Sequence, residues 1–171
     1  MTTIKIRQAK PLDTSNLVRL LTAAHDESGA YPSVDQHMGL NWVTDTLTNG
    51  YVIVADVSGR LVGTLALTNF NFPWSPEQFM YLEWLFVQKK FRKGGAFDAL
   101  IKGCHAFADS HDAPILAGVS AGDKDVFLKD RLFQMEGYRY IGGDFIRSSR
   151  SKRDGQQEEE NHADVQTAVV G

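Results

Sequence analysis

Leu82-Glu83-Trp84-Leu85-Phe86-Val87-Gln88-Lys89-Lys90-Phe91-Arg92-Lys93-Gly94-Gly95-Ala96-Phe97 reads as three consecutive pieces of structure. An apolar run suited to a buried strand ends at Val87, a basic turn follows, and two glycines open an amphipathic helix. Glycine lets a backbone come close to a ligand. The first N–H groups of a helix have no partners inside it, and the helix dipole adds positive potential there. With Arg92 and Lys93 beside them, these amides suit an anion, and a phosphate or pyrophosphate is the natural occupant. The same pattern also serves as a plain strand-to-helix turn, and the residues alone leave both readings open. Neither Gly-x-x-x-x-Gly-Lys-Ser/Thr nor a strand followed by Gly-x-Gly-x-x-Gly occurs, which counts against a general nucleotide-binding module.

Upstream, Ile4–Arg7 alternates like a short strand, and Asp13, Thr14 or Ser15 is placed to cap a helix with the stripe Leu17, Leu20, Leu21, Ala24. Ser33-Val34-Asp35-Gln36 has capping-box spacing and opens a second helix, expected to bury Met38, Trp42, Val43 and Leu47. Tyr51–Val57 and Arg60–Phe70 read as strands joined at Ser58-Gly59, the spacing of a hairpin. A loop containing Pro73 and Pro76 precedes the strand 79–87. Downstream, the spacing predicts a helix over 96–108 with Phe97, Leu100, Ile101, Cys104 and Phe107 on one face. A buried strand over 114–119, a helix over 123–135 and a closing strand or strand pair over 138–146 complete the series. The order predicts a mixed α/β sheet with helices on its faces.

A chain of 171 residues has room for one domain and some further chain. With 43% apolar and 11% aromatic residues it can bury a core, which excludes collagen-like and wholly disordered classes. No apolar run is long enough to span a membrane, and residues 1–5 lack the apolar core of a signal peptide, so the expectation is a cytoplasmic protein without a membrane partner. The single cysteine, Cys104, excludes an intramolecular disulfide and suits a reducing compartment. The histidines show no ligand spacing, so no metal is expected. Residues 1–146 carry 14 basic and 16 acidic side chains, too little positive charge to expect nucleic acid as a partner. From Ser148 the composition turns polar and charged, with no apolar residue before Ala163. This divides the chain into a folded domain, 1–147, and a disordered charged tail, 148–171.

The central stretch resembles the cofactor motif of the GCN5-related N-acetyltransferase (GNAT) family, a Val-ended strand followed by Arg/Gln-x-x-Gly-x-Gly/Ala. Arg92-Lys93-Gly94-Gly95-Ala96-Phe97 matches with Arg92 first and Gly95 central, and Phe97 stands where the family has a small residue. Arg131-Leu132-Phe133-Gln134-Met135-Glu136-Gly137-Tyr138 is similar to the family's Leu-Tyr-x-x-x-Gly-Phe segment, and Arg60–Leu67 to its third strand. The chain is also similar to the compact members encoded by phages. The resemblance implies a GNAT-like, mostly antiparallel twisted sheet of six to seven strands with helices on both faces. It also implies an acetyl-CoA-dependent N-acetyltransferase acting by direct attack of a primary amine, from a small molecule or a protein. Dimers are common in the family, and a homodimer is compatible with the resemblance.

Carried over by residue, the resemblance has Leu85, Phe86 and Val87 offer backbone groups to the pantetheine arm. The amides of Arg92, Lys93, Gly94, Gly95, Ala96 and Phe97 hold the pyrophosphate. Glu83 falls where many members place a base or a water-holding acid. The loop after the first helix supplies acceptor-recognition candidates, Asp26 and Glu27 for a cationic amine and Tyr31 as an apolar wall. The family's acid is a Tyr, and Phe133 stands at that position. Tyr138 and Tyr140 are substitutes of lesser standing. Phe133 and Phe97 together sustain an alternative reading, a catalytically weak or inactive GNAT-fold binding or structural protein.

Overall fold

The apolar and β-branched residues of 51–71 form the central hairpin of a sheet. β2 (Tyr51–Val57) turns at Ser58-Gly59 into β3 (Arg60–Asn71). Both turn residues have positive φ, 52° and 85°, the twist that a two-residue hairpin loop needs. The Gly59 N–H donates to Asp56 Oδ1 at 2.7 Å and closes the turn. β1 (Lys5–Gln8) pairs antiparallel with β2, β4 (Gln78–Val87) antiparallel with β3, and β5 (Ile115–Ala117) parallel with β4, giving the order β1-β2-β3-β4-β5. This computed structural model describes residues 3–29, 33–118 and 130–140. Tyr31, most of the helix expected over 123–135, residues 141–146 of the closing strand and the boundary at 148 lie outside those residues. Five strands fall among the described residues, and residues 138–140 carry none.

Helices cover both faces. α1 (Thr14–Ser28) and α2 (Gln36–Asn49) bury Leu17, Leu20, Leu21 and Val43 against Val52, Val54, Ala66, Trp84 and Phe86. On the other face α3 (Ala96–Ser110) lays Ala96, Leu100, Ile101, Cys104 and Ala108 on Ile53, Val62, Leu65 and Leu67. Burying each of these Leu, Ile or Val side chains stabilises the fold by about 1.5–3 kcal/mol. The mixed sheet between two helical layers is the architecture the sequence predicts. Among the described residues no helix is long and apolar enough to cross a membrane.

Two helix starts differ from expectation. Asp13 stands before α1 but makes no side-chain cap. Its carboxylate instead accepts from Arg7 Nη1 at 2.7 Å, Arg7 Nη2 at 2.9 Å and the Lys10 N–H at 2.8 Å. Arg7 also reaches Asp56 Oδ2 at 3.1 Å, so one guanidinium ties β1, β2 and the entry to α1. The cap of α2 is Asp35, whose Oδ1 accepts from the Met38 N–H at 2.9 Å; the Ser33 capping box does not form. The inward stripe then runs through Gly39, Val43 and Thr46. Met38 was expected to be buried and is 71% exposed. A Cβ on Gly39 would meet Val34 Cγ1 at 2.9 Å, so close approach of the chain, not a large side chain, fills the inward position.

Candidate active site

β4 changes phase in its middle. Leu67 lies opposite Leu82 and Ala66 opposite Trp84, so Glu83 is an extra residue, a β-bulge. The bulge explains which side chains are buried where. Met80 and Leu82 face α3 before it, and Leu85 and Val87 face α3 after it, while Trp84 and Phe86 turn to α1 and α2. Pairing with β5 covers only Met80–Leu82. Among the described residues, 83–87 have no strand on that side.

The backbone phase beyond the bulge follows from one bond, the Gln88 N–H donating to Val62 O at 2.9 Å. In an antiparallel ladder every second residue points its polar groups to a given neighbour. Phe86 therefore directs its N–H and C=O to β3, and Leu85 and Val87 direct theirs to the open edge. Of the three residues expected to offer backbone groups to a ligand, Phe86 is removed by this geometry. The Val87 carbonyl is occupied as well, accepting from Arg92 Nε at 2.9 Å. Leu85 keeps both groups and Val87 its N–H.

Past Val87, residues Lys89–Gly94 wind into a 3-10 turn that ends at Gly95, with φ 81° and ψ 7°. That left-handed conformation is why glycine stands here. Among the described residues a Cβ built on Gly95 meets nothing within 4 Å, so they leave the space above the start of α3 open. No side chain caps α3, and its first backbone bond is Ala99 N–H to Gly95 O at 3.0 Å. The N–H groups of Ala96, Phe97 and Asp98 precede that bond, and a helix of 15 residues stands behind them. Phe97 packs against the α3-side core, so its ring does not stand in this space. Lys89, Lys90 and Lys93 are exposed around the turn.

Arg92 does not project freely. Besides its bond to Val87 O, its Nη2 pairs with Glu27 Oε1 at 2.5 Å, and its guanidinium lies 5.9 Å from the Phe86 ring centroid. The structure thus joins a residue expected at the cofactor to one expected at the acceptor. Both side chains are more than a third exposed, so the pair fixes the turn more than it stabilises the fold. Asp26 is exposed one residue earlier. The sequence carries no signal for this contact, which spans 65 positions.

Glu83 is exposed, and its Oε1 accepts from Thr68 Oγ1 at 3.0 Å. Thr68, on the neighbouring strand, was not singled out in the sequence. The bulge turns Glu83 onto the same face as Thr68, at the point where β4 parts from β5.

The two aromatic residues near the expected acid position are both engaged elsewhere. Phe133 is buried, and Tyr138 packs against it edge-on, centroids 4.9 Å apart at 84°. The Tyr138 hydroxyl lies 3.2 Å from His105 Nε2 and shares a hydrogen bond with Cys104. Burial pushes the Tyr138 phenol well above its usual range, and the neighbouring thiol adds to that. Burial likewise pushes the Cys104 thiol up to about 11, against a small opposing pull from Tyr138. His105 thus takes part in a half-buried contact with Tyr138. Tyr140 is 66% exposed. No group of three metal-ligating side chains occurs among the described residues.

The sequence profile described as the acetyltransferase (GNAT) family matches residues 17–124, well over half of the chain. No curated protein sequence matches. Solved structures share the fold at low identity. A predicted acetyltransferase with acetyl-CoA from Clostridium acetobutylicum superposes with a TM-score of 0.71 at 15% identity, covering 88% of this chain and 98% of that one. A ribosomal-protein-alanine N-acetyltransferase from Brucella melitensis biovar Abortus 2308 gives 0.67 at 16% identity, covering 86% and 99%. An aminoglycoside acetyltransferase from an uncultured soil metagenomic sample, in complex with sisomicin, gives 0.63 at 19% identity, covering 86% and 97%. The open strand edge, the uncapped helix and the open glycine between them fit the donor that this profile implies. The chain belongs to the GNAT family of acetyltransferases, with acetyl-CoA as acetyl donor.

Proposed function

We propose that the chain transfers acetyl to a primary amine of a small molecule or protein by direct attack, with Glu83 as the base. The observation that carries this reading is the position of Glu83. It is a carboxylate on a bulge, hydrogen-bonded to Thr68, beside the stretch of β4 that lacks a second strand. Bound acetyl-CoA supplies a thioester carbonyl. Leu85 N–H and C=O and Val87 N–H would orient the pantetheine arm along β4, as a peptide is held by strand addition. The amides from Ala96 onward, with Lys93 close by, would hold the pyrophosphate. Arg92 acts here through its backbone and by bracing the turn against Val87 O and Glu27.

An alkylamine reaches the site as an ammonium ion and must lose a proton before it attacks. Glu83 accepts that proton, directly or through water, and the freed nitrogen lone pair then bonds to the carbonyl carbon. When the C–S bond breaks, the thiolate takes a proton from water or from the departing ammonium. Phe133 has none to give, and the half-buried Tyr138 is engaged with Cys104 and His105. Asp26 is the acidic group at the end of α1 left to attract a cation, because Glu27 is paired with Arg92. Tyr31, outside the described residues, is proposed as an apolar wall on the sequence alone. The test is thiol release from acetyl-CoA against a panel of amines. Release that depends on the amine, with the N-acetyl product found by mass spectrometry, is the expected result. Hydrolysis at one rate with and without amine would sink the proposal and favour a binding protein.

A further inference from the structure

Glu83 is the residue of β4 that the ladder to β3 leaves unpaired. Thr68 is opposite Tyr81, Leu67 opposite Leu82 and Ala66 opposite Trp84, so no residue of β3 stands across from Glu83 to set its direction. An exposed glutamate side chain samples several staggered arrangements, whereas a base must come within about 2.6–3.2 Å of the group whose proton it takes. One bond restricts Glu83. Thr68 Oγ1 donates to its Oε1 at 3.0 Å. Among the described residues no cation pairs with Glu83, and its Oε2 is left to accept from elsewhere.

Thr68 is itself held in place. β3 is buried from Leu61 to Leu67, and Thr68 is the first half-buried residue after that run. A Cβ built on Gly50 would lie 3.3 Å from Thr68 Cγ2, so the threonine methyl rests beside the glycine. Gly50 is fixed in turn, since its N–H donates to Thr46 O at 2.9 Å and a Cβ there would meet Leu67 O at 2.6 Å. A β-branched side chain has few χ1 choices, and with its methyl at Gly50 the threonine presents its hydroxyl to Glu83. Valine would suit the strand and the methyl contact equally well. What it would lack is the donor.

We infer that Thr68 is a positioning residue for acetyl transfer: its hydroxyl holds Glu83 Oε1 so that Oε2 meets the incoming ammonium. This role rests on Glu83 being the base, and it gives Thr68 no contact with either substrate. A carboxylate has lone pairs on both oxygens, so engaging one leaves the other free to take the proton. The groups proposed to hold the donor belong to residues 85–97, away from the Thr68–Tyr81 pair. Loss of the hydroxyl should therefore fall on kcat and spare donor binding.

The experiment measures kcat, amine KM and the Kd for acetyl-CoA on the full-length wild type, Thr68→Val, Thr68→Ser, Glu83→Gln and the Thr68→Val/Glu83→Gln double variant. Thr68→Val should lower kcat about tenfold or more, the scale of loss from a misplaced reacting group, with amine KM and acetyl-CoA Kd within about twofold of wild type. Thr68→Ser keeps the donor and should lose about threefold at most. In the Glu83→Gln background, removing the hydroxyl should change kcat by less than about twofold, because the side chain it positions no longer takes a proton. A Thr68→Val kcat near wild type beside a lowered Glu83→Gln kcat overturns the role of Thr68 and leaves Glu83 as the base. Equal losses in the valine and serine variants, or the full valine loss repeated in the double variant, make Thr68 structural and overturn its role as well. An unchanged kcat in Glu83→Gln removes the base and the role of Thr68 with it. Three-bond side-chain couplings of Glu83, read by NMR, report the positioning without turnover. A single χ1 rotamer in wild type and Thr68→Ser, averaged in Thr68→Val, is expected, and averaged couplings in the wild type overturn it.

Discussion

Replacing Gly95 by alanine separates the fold from the donor site. Gly95 sits at φ 81°, ψ 7° with nothing within 4 Å of a built Cβ among the described residues, so the methyl meets none of their atoms. What remains is backbone strain, about 1–2 kcal/mol for an L-residue held in the left-handed region. In a chain of this size that lowers Tm by about 2–8 °C. In the proposed donor site the same methyl stands where the pyrophosphate would approach the α3 amides. Even a 1 Å retreat weakens those bonds, and loss of one charge-assisted bond at about 1.5–3 kcal/mol raises the Kd for acetyl-CoA roughly 10- to 150-fold. Gly59→Ala is the matched control, since Gly59 has φ 85°, the same open surroundings and a place in the β2–β3 turn. Both variants are purified, melted, and titrated with acetyl-CoA by calorimetry. Similar Tm losses with weakened binding only in Gly95→Ala are expected. Equal affinity in the two variants would refute the placement of the pyrophosphate.

Asp13→Ala should destabilise by about 1.5–3 kcal/mol at neutral pH, because Arg7 keeps Asp56 but loses its charge-assisted bonds to Asp13. Arg7 holds the Asp13 carboxyl below its usual range. The stability it gives is therefore present above the unfolded carboxylate pKa of about 3.9 and is lost as pH falls through the lowered folded value. Urea melts from pH 7 to pH 2.5 should show the gap between wild type and Asp13→Asn closing only below about pH 4. Cys104, buried with its thiol pushed up to about 11, should resist a thiol reagent at pH 8 in the native state and react fully in urea. Rapid native labelling would contradict the Cys104–Tyr138 contact. Glu27→Gln should cost under about 1 kcal/mol of stability and raise KM for acetyl-CoA more than for the amine, since its partner Arg92 braces the donor turn. A rise confined to the amine would make Glu27 an acceptor residue, as its position in the sequence suggested.

Much of the fold was legible because it depends on local pattern. Ser58-Gly59 between two β-rich runs specified the hairpin, and the spacing of Leu100, Ile101 and Cys104 specified the buried side of α3. The basic turn between β4 and α3 was legible for the same reason, since its basic residues and two glycines are adjacent in the chain. What failed was set by distant partners. Met38 is outside because Gly39 admits Val34, and Asp13 leaves its cap for Arg7. The bulge at Glu83 is invisible in a strand whose two faces are both apolar near Trp84 and Phe86. Without it the choice of backbone groups facing the open edge comes out one residue wrong, and the Thr68–Glu83 pair does not emerge. The Arg92–Glu27 contact joins segments 65 positions apart and leaves no local trace.

Glu83→Gln tests the central claim most directly, with kcat at saturating amine and the Kd for acetyl-CoA measured on one preparation. The glutamine keeps the shape and can still accept from Thr68, but it takes up no proton. A fall in kcat of about 100-fold or more with the acetyl-CoA Kd unchanged, recovering as pH rises and the amine deprotonates itself, is the predicted result. An unchanged kcat, or a loss accounted for by weaker acetyl-CoA binding alone, would contradict Glu83 as the base.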